Sequence, residues 1–177
     1  MMALVGIECG DTRTTVAASA AADSTDPAVS FELGPANFRL TSSDQYGALF
    51  TEAFSRLGAQ QPPAAVGLAV AGARHAAQHA ELEVMAREAM VEVWGVKTVK
   101  NIPVRASHDL ESAFLAPGPL QASTTRMVCI AGTGSSCYGR TSGGMEVPWR
   151  WMGPSPRGWG QRIRVGLRAA AVADHSS

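Results

Sequence analysis

This sequence predicts an α/β chain whose mixed β-sheet is flanked by helices, on three observations. Short apolar, β-branched runs alternate with longer stretches of helical periodicity, glycine and proline punctuate the junctions between them, and a glycine-centred hairpin stands at each end of the series.

The elements follow in order. Ala3 to Glu8 and Thr14 to Ala18 are strand-like and meet across a turn at Gly10 and Asp11, which reads as a hairpin, and Ala28 to Leu33 supplies a third strand. From Ser42 to Gly58 the apolar residues Tyr46, Leu49, Phe50, Ala53, Phe54 and Leu57 recur at helical spacing, with Ser43 as the expected N-cap and Gly58 as the stop. After Pro62-Pro63 come an apolar strand, Ala65 to Ala71, and a helix from Ala76 to Trp94 with Leu82, Met85, Ala89 and Val93 on one face and Gly95 at its end. Val104 to Ser107 is a further strand, and Asp109 to Leu115 a short helix that Pro117 closes, because proline cannot continue it. PGPLQAST is linker-like, and RMVCIAGTGSSCYGR reads as two strands around a Gly-Thr-Gly turn.

Composition narrows the function. The 177 residues suffice for one domain with a real core, and with 17% charged residues and zero formal net charge nothing in the bulk electrostatics suits nucleic acid or an anionic membrane. No stretch has the length and apolarity of a membrane span, and the first ten residues lack a signal peptide's basic start, so a cytoplasmic protein with small-molecule partners is expected. Three cysteines, Cys9, Cys129 and Cys137, without a CxxC pair argue against a disulfide framework or a structural zinc site and fit a reducing compartment.

Two segments carry chemistry: GIECGDTRTT at 6–15 and IAGTGSS at 130–136. A strand-turn-strand with glycine and threonine in the turn presents backbone N–H groups and hydroxyls to a phosphate chain, glycine permitting close approach. For each turn alone, simple steric need is the better explanation. Their order is more specific. VGIECGDTRTT, GPANFR at 34–39, GLAVAGA, SHDLESAFLA and IAGTGSSCYGR follow one another as in the sugar kinase and ATPase superfamily that contains actin and hexokinase, and the chain most closely resembles its N-acetylglucosamine kinase and BadF/BadG-type ATPase branch from residue 4 to about 146.

The resemblance implies a ribonuclease H-like, actin-like lobe over residues 1–117, a linker and the start of a second lobe over 118–147, and an aberrant tail over 148–177. It implies ATP with Mg²⁺ as cofactors and phosphorylation of an amino sugar such as N-acetylglucosamine. No dedicated metal-ligand set is expected in the chain, and a homodimer is left open. By motif position Glu8 lies near the metal-bound nucleotide; Gly10, Thr12 and Arg13 form the first phosphate turn, and Gly132, Thr133, Gly134 and Ser135 the second. Asn37 helps hold the sugar, and Asp109 binds it and is the catalytic base, since the attacking hydroxyl must be oriented and relieved of its proton. Ordinary structural roles stand beside these: Asp109 as N-cap of a helix starting at Leu110, and Asn37 as a turn residue after proline. His108 is read as structural, since adjacent strand residues face opposite ways, and His75 with His79 as a solvated surface pair. A non-catalytic remnant or interaction module is the alternative. A radical-dehydratase activator is disfavoured, because the three cysteines lie in the wrong elements for a cluster between subunits.

Two departures matter. Cys9 and Asp11 stand where the family has glycines, and a carboxylate about 4 Å from a phosphate charge is repelled by roughly 4 kcal/mol at intermediate dielectric unless Mg²⁺ offsets it. Beyond Val147 the family continues with a segment similar to GGWGHLLGDEGSGY, whereas Pro148 to Arg168 carries five arginines and no acidic residue. Read one nucleotide later, Trp149 into Arg150 must encode Gly, Trp151 into Met152 Gly, and Met152 into Gly153 Trp. The codons that follow permit His, Pro, Leu, Gly, Asp, Gly, Gly, Ser, Gly, Tyr after one Ala or Gly. A slipped reading frame near Val147 is therefore expected, in preference to an arginine-rich tail for an acidic partner. Nucleotide sequencing across that codon should reveal the family segment in the shifted frame; an early stop there, or loss of the motif, sinks the idea.

Overall fold

β1 (Leu4–Cys9) is the strand on which the fold is assembled. The computed structural model describes residues 4–21, 26–58, 62–116, 125–131, 135–141 and 146–147. β1 pairs antiparallel with β2 (Thr14–Ser19) and parallel with β4 (Ala65–Val70). β3 (Val29–Leu33) adds to β2 and β5 (Val104–His108) to β4, which gives one mixed sheet in the order β3-β2-β1-β4-β5. The expected α/β class with a mixed, helix-flanked sheet is what forms.

Strand alternation divides the sheet into two unlike faces. Val5, Ile7 and Cys9 of β1, Val16 and Ala18 of β2, and Val66, Leu68 and Val70 of β4 are buried in one core with α1 (Ser43–Leu57) and α2 (Ala76–Trp94). The helices line up aromatics at i, i+4 spacing: Tyr46 stacks on Phe50 at 5.6 Å between centroids, Phe50 on Phe54 at 6.4 Å, and Phe54 on Trp94 of α2 at 5.3 Å. Tyr46 is fixed further by donating to the Ala36 carbonyl at 2.8 Å, and its burial raises the phenol's pKa.

Helix ends account for the small shifts from expectation. Ser42, not Ser43, caps α1: its Oγ accepts from Gln45 N–H at 3.4 Å while Gln45 Oε1 accepts from Ser42 N–H at 2.9 Å, a reciprocal capping box that needs Gln at the third helical position. Gly58 and Gly95 end α1 and α2 with φ of 98° and 79°, and a short α3 (Val96–Val99), absent from the sequence reading, follows Gly95. α4 is Asp109–Leu115, but its N-cap is His108 and Asp109 already lies in the first turn, which corrects the reading of Asp109 as cap.

β6 (Arg126–Ala131), β7 (Ser135–Arg140) and β8 (Glu146–Val147) form a second, antiparallel sheet. α4 leans on it. Leu110 and Phe114 are buried with Tyr138, whose ring meets Phe114 edge-on at 4.9 Å, and Arg126 donates to the Phe114 carbonyl at 2.9 Å. Cys129 and Cys137 are directly opposed in the β6–β7 register and are joined by a disulfide, whereas the cysteine pattern alone argued against one. A spacing of eight residues in sequence hides the pairing that a hairpin makes immediate. Only Cys9 is free among the described cysteines; burial pushes its thiol up to about 12, with Thr14 opposing. The linker 118–124 and the tail 148–177 lie outside the described residues. Ser42→Ala, which removes one half of the capping box, should cost about 1 kcal/mol in a denaturant titration.

Candidate active site

The sheet's other face is paved with small and polar residues that the registers set in rows. Ala17, Gly6, Gly67 and Arg105 lie side by side across β2, β1, β4 and β5, and one step toward the carboxyl ends of β1, β4 and β5 lie Thr15, Glu8, Ala69 and Ser107. With no bulky side chain in the first three strands of either row, a cavity of about 530 Å³ opens over this face. Glu8, Ser107 and Asp109 all line it. Glu8 and Ser107 are two strand spacings apart, about 10 Å. Asp109 follows Ser107 by two residues at the mouth of α4, so the two candidate carboxylates face one space across β4.

Asp109 is held tightly. Its Oδ1 accepts from Leu110 N–H at 2.8 Å and touches Nδ1 of His108. Partial burial alone would raise the carboxyl's pKa, but the His108 ring and then the Leu110 N–H outweigh it, and the net shift is downward. A depressed folded-state value means that the stability this group contributes is present above the ordinary carboxylate range and is lost as pH falls through the folded value. The expectation that His108 and Asp109 face opposite ways fails for a simple reason: Asp109 has left the strand for a helical turn, and that turn folds its side chain back against the imidazole. Ser107 Oγ and Ser112 Oγ, 2.7 Å apart, tie the strand end to the helix beside it.

The first turn is closed by Gly10 N–H donating to the Arg13 carbonyl at 2.9 Å; a Cβ on Gly10 would come within 3.1 Å of that oxygen. Arg13 pairs with Glu32 of β3 at 3.0 Å, both side chains largely exposed, so its guanidinium is turned along the hairpin toward β3. Thr12 is exposed in the same turn. Asp11 accepts from the Asn37 amide at 2.5 Å, while Asn37 Oδ1 accepts from Arg39 N–H at 2.8 Å. The charge that sequence set beside the phosphates is thus engaged by the 34–41 segment, and a second cavity of about 280 Å³ lies there, lined by Asp11, Asn37, Thr41 and Gln45. Sequence reasoning gave Asp11 no such partner, since 26 residues separate it from Asn37.

Backbone bonds hold these pieces in place. Ala36 N–H donates to the Gly10 carbonyl, Phe38 N–H to Ala71, and Ala71 N–H to Cys9, so the first turn, the GPANF segment and the loop after β4 are laced together at the carboxyl edge of the sheet. Gly72 sits in that loop at φ 84°, and a Cβ there would fall 2.5 Å from Asn37 Oδ1. Of the second phosphate turn, Gly132, Thr133 and Gly134 lie outside the described residues, and Ser135 opens β7.

No protein-family model matches the chain, and no curated protein does. Among solved structures, the chain is similar to the inorganic polyphosphate/ATP-glucomannokinase from Arthrobacter sp. strain KM, with a TM-score of 0.56 over 84% of this chain at 16% identity. At that identity the likeness is one of fold alone, the mixed, helix-flanked sheet described above. The chain spans 61% of that kinase's length. No helix among the described residues is long and apolar enough to cross a membrane.

Gly72→Ala should destabilise the fold by at least about 1 kcal/mol, since the left-handed backbone and the close approach to Asn37 both oppose a methyl group. Denaturant unfolding reads the cost, and a shift of the Asn37 side-chain amide signals reads the displacement; a neutral substitution with those signals unmoved contradicts the geometry.

Proposed function

We propose that this chain carries the nucleotide- and sugar-facing lobe of an ATP-dependent kinase for an amino sugar such as N-acetylglucosamine. In this reading residues 1–117 are the first lobe and 118–147 the linker and opening hairpin of a second. The observation that carries it is the pair Glu8, on the central strand, and Asp109, at the start of α4 just past the edge strand β5, both lining one cavity beside a glycine-closed turn. Similarity in fold to a polyphosphate/ATP-glucomannokinase supports a sugar as acceptor and ATP as donor. The cytoplasm, where ATP is held, is the proposed compartment.

Asp109 accepts a hydrogen bond from the sugar hydroxyl and aims its oxygen at the γ-phosphorus. As the new O–P bond forms and the bond to the β,γ-bridging oxygen breaks, the hydroxyl proton passes to the carboxylate and ADP leaves. The downward pKa shift of Asp109 makes it a poor acceptor ahead of bond formation, so its role is orientation first and proton removal late. Gly10 closes the first turn, from which Thr12 and Arg13 bind phosphate oxygens, and Arg13 must turn from Glu32 to do so. Gly132, Thr133, Gly134 and Ser135 serve likewise from the second hairpin. Glu8 is an exposed carboxylate with no ion pair among the described residues, a hard oxygen donor that suits Mg²⁺ retaining most of its waters. When bound, Mg²⁺ supplies charge neutralisation on the phosphates. Asn37, already fixed by Asp11 and Arg39, offers the sugar a pre-oriented amide.

The test is calorimetric titration of the chain with Mg-ATP and with N-acetylglucosamine, glucosamine and glucose, together with an assay of sugar phosphate. Sugar binding that survives Asp109→Asn while turnover falls at least a hundredfold is the expected result. Neither heat nor turnover at millimolar ligand favours a non-catalytic remnant or interaction module.

A further inference from the structure

Beyond the reading of Asp109 as base, and resting on it, we infer that His108 is its positioning residue: the imidazole holds a proton on Nδ1 and donates it to Asp109 Oδ1, which leaves Oδ2 as the oxygen that meets the sugar hydroxyl. Three polar groups converge at the mouth of α4: Leu110 N–H, His108 Nδ1 and Asp109 Oδ1. Leu110 N–H lies 3.2 Å from Nδ1 and 2.8 Å from Oδ1, and Nδ1 is itself in contact with Oδ1. A ring nitrogen either accepts or donates. If Nδ1 were bare and accepted from Leu110, its lone pair would face the carboxylate, two acceptors in contact at a site where the imidazole is only 6% exposed. With Nδ1 protonated every group is satisfied: His108 and Leu110 both donate to Oδ1, the latter at the shorter of its two distances.

Both donors on one oxygen fix the carboxylate's rotation and leave Oδ2 without either of them, on a residue that lines the cavity. The arrangement is local to a strand-to-helix junction. His108 is extended, at φ −70° and ψ 150°, while Asp109 is the first helical residue, and that single change of backbone region brings adjacent side chains together. His108 is therefore more than a buried histidine at a helix start.

Ring ¹⁵N spectra of the chain labelled at histidine test this without any need for turnover, with the His108 signals assigned by their loss in His108→Asn. The expected result is a protonated Nδ1 in the wild-type chain that becomes bare in Asp109→Ala, where Leu110 N–H donates to it. A bare Nδ1 in the wild type, or a ring unchanged by Asp109→Ala, overturns the inference. Kinetics then separate positioning from packing. His108→Ala removes the donor, and should lower kcat at least tenfold with KM within twofold. His108→Asn restores an N–H donor and should recover most of that loss. Equal losses in both variants, with thermal melts equally lowered, make His108 structural only and overturn the positioning role. Absence of turnover in the wild type overturns the kinase reading and the positioning role with it, while the ring spectra still judge the hydrogen bond.

Discussion

The alternation of β1 is the constraint on which the rest of the molecule depends. Val5, Ile7 and Cys9 point into the core beneath α1 and α2, and Gly6 and Glu8 point into the opposite cavity. A register slip of one residue would exchange the sets, burying a carboxylate without a partner and exposing three apolar side chains. Because β1 pairs with both β2 and β4, its register also sets theirs, and β4 passes it to β5 and so to Asp109. Thus Glu8 and Asp109 face one cavity as a consequence of hydrophobic patterning three strands wide. Neither carboxylate has to be placed by its own contacts alone.

That dependence explains how much of the molecule was legible in sequence. Element order followed from periodicity, because the core-facing positions repeat at two in the strands and near four in α1 and α2. Boundaries moved by a residue where capping chemistry, not burial, decides. Ser42 and Ser43 are equivalent as caps until Gln45 is placed, and the reciprocal bonds then select Ser42. What patterning could not reveal are pairs made by tertiary closeness. Asp11 and Asn37 are joined through the lacing of three loops, and Cys129 and Cys137 through a hairpin register. His108 and Asp109 failed for a different reason: the rule that neighbours face apart holds inside a strand and lapses at its end.

The Asp11 pairing changes the meaning of a departure from the resembled family. In sequence, a carboxylate in the phosphate turn opposes anion binding. In the structure its partner is an amide nitrogen on the segment that lines the second cavity, so part of its negative charge is satisfied away from the turn's backbone N–H groups. Arg13 is likewise drawn off, by Glu32. Exposed pairs of that kind are worth roughly 1 kcal/mol or less, so turning Arg13 away from Glu32 costs little.

α4 connects the two sheets through one short helix with two jobs. Its first turn carries Asp109 against His108, and its inner face sets Leu110 and Phe114 against Tyr138 of β7. Leu110 belongs to both: its backbone N–H fixes the Asp109 carboxylate while its side chain is buried with the second sheet's aromatic. Displacement of β6 and β7 relative to the larger sheet therefore bears on the Asp109 carboxylate through α4. Seven residues give α4 too few internal hydrogen bonds to be rigid by itself, so its orientation is set at its ends, by the Ser107–Ser112 contact on one side and the Arg126 bond to the Phe114 carbonyl on the other. The orientation of the Asp109 carboxylate and the placement of the β6–β7 hairpin are thus two readings of the same helix.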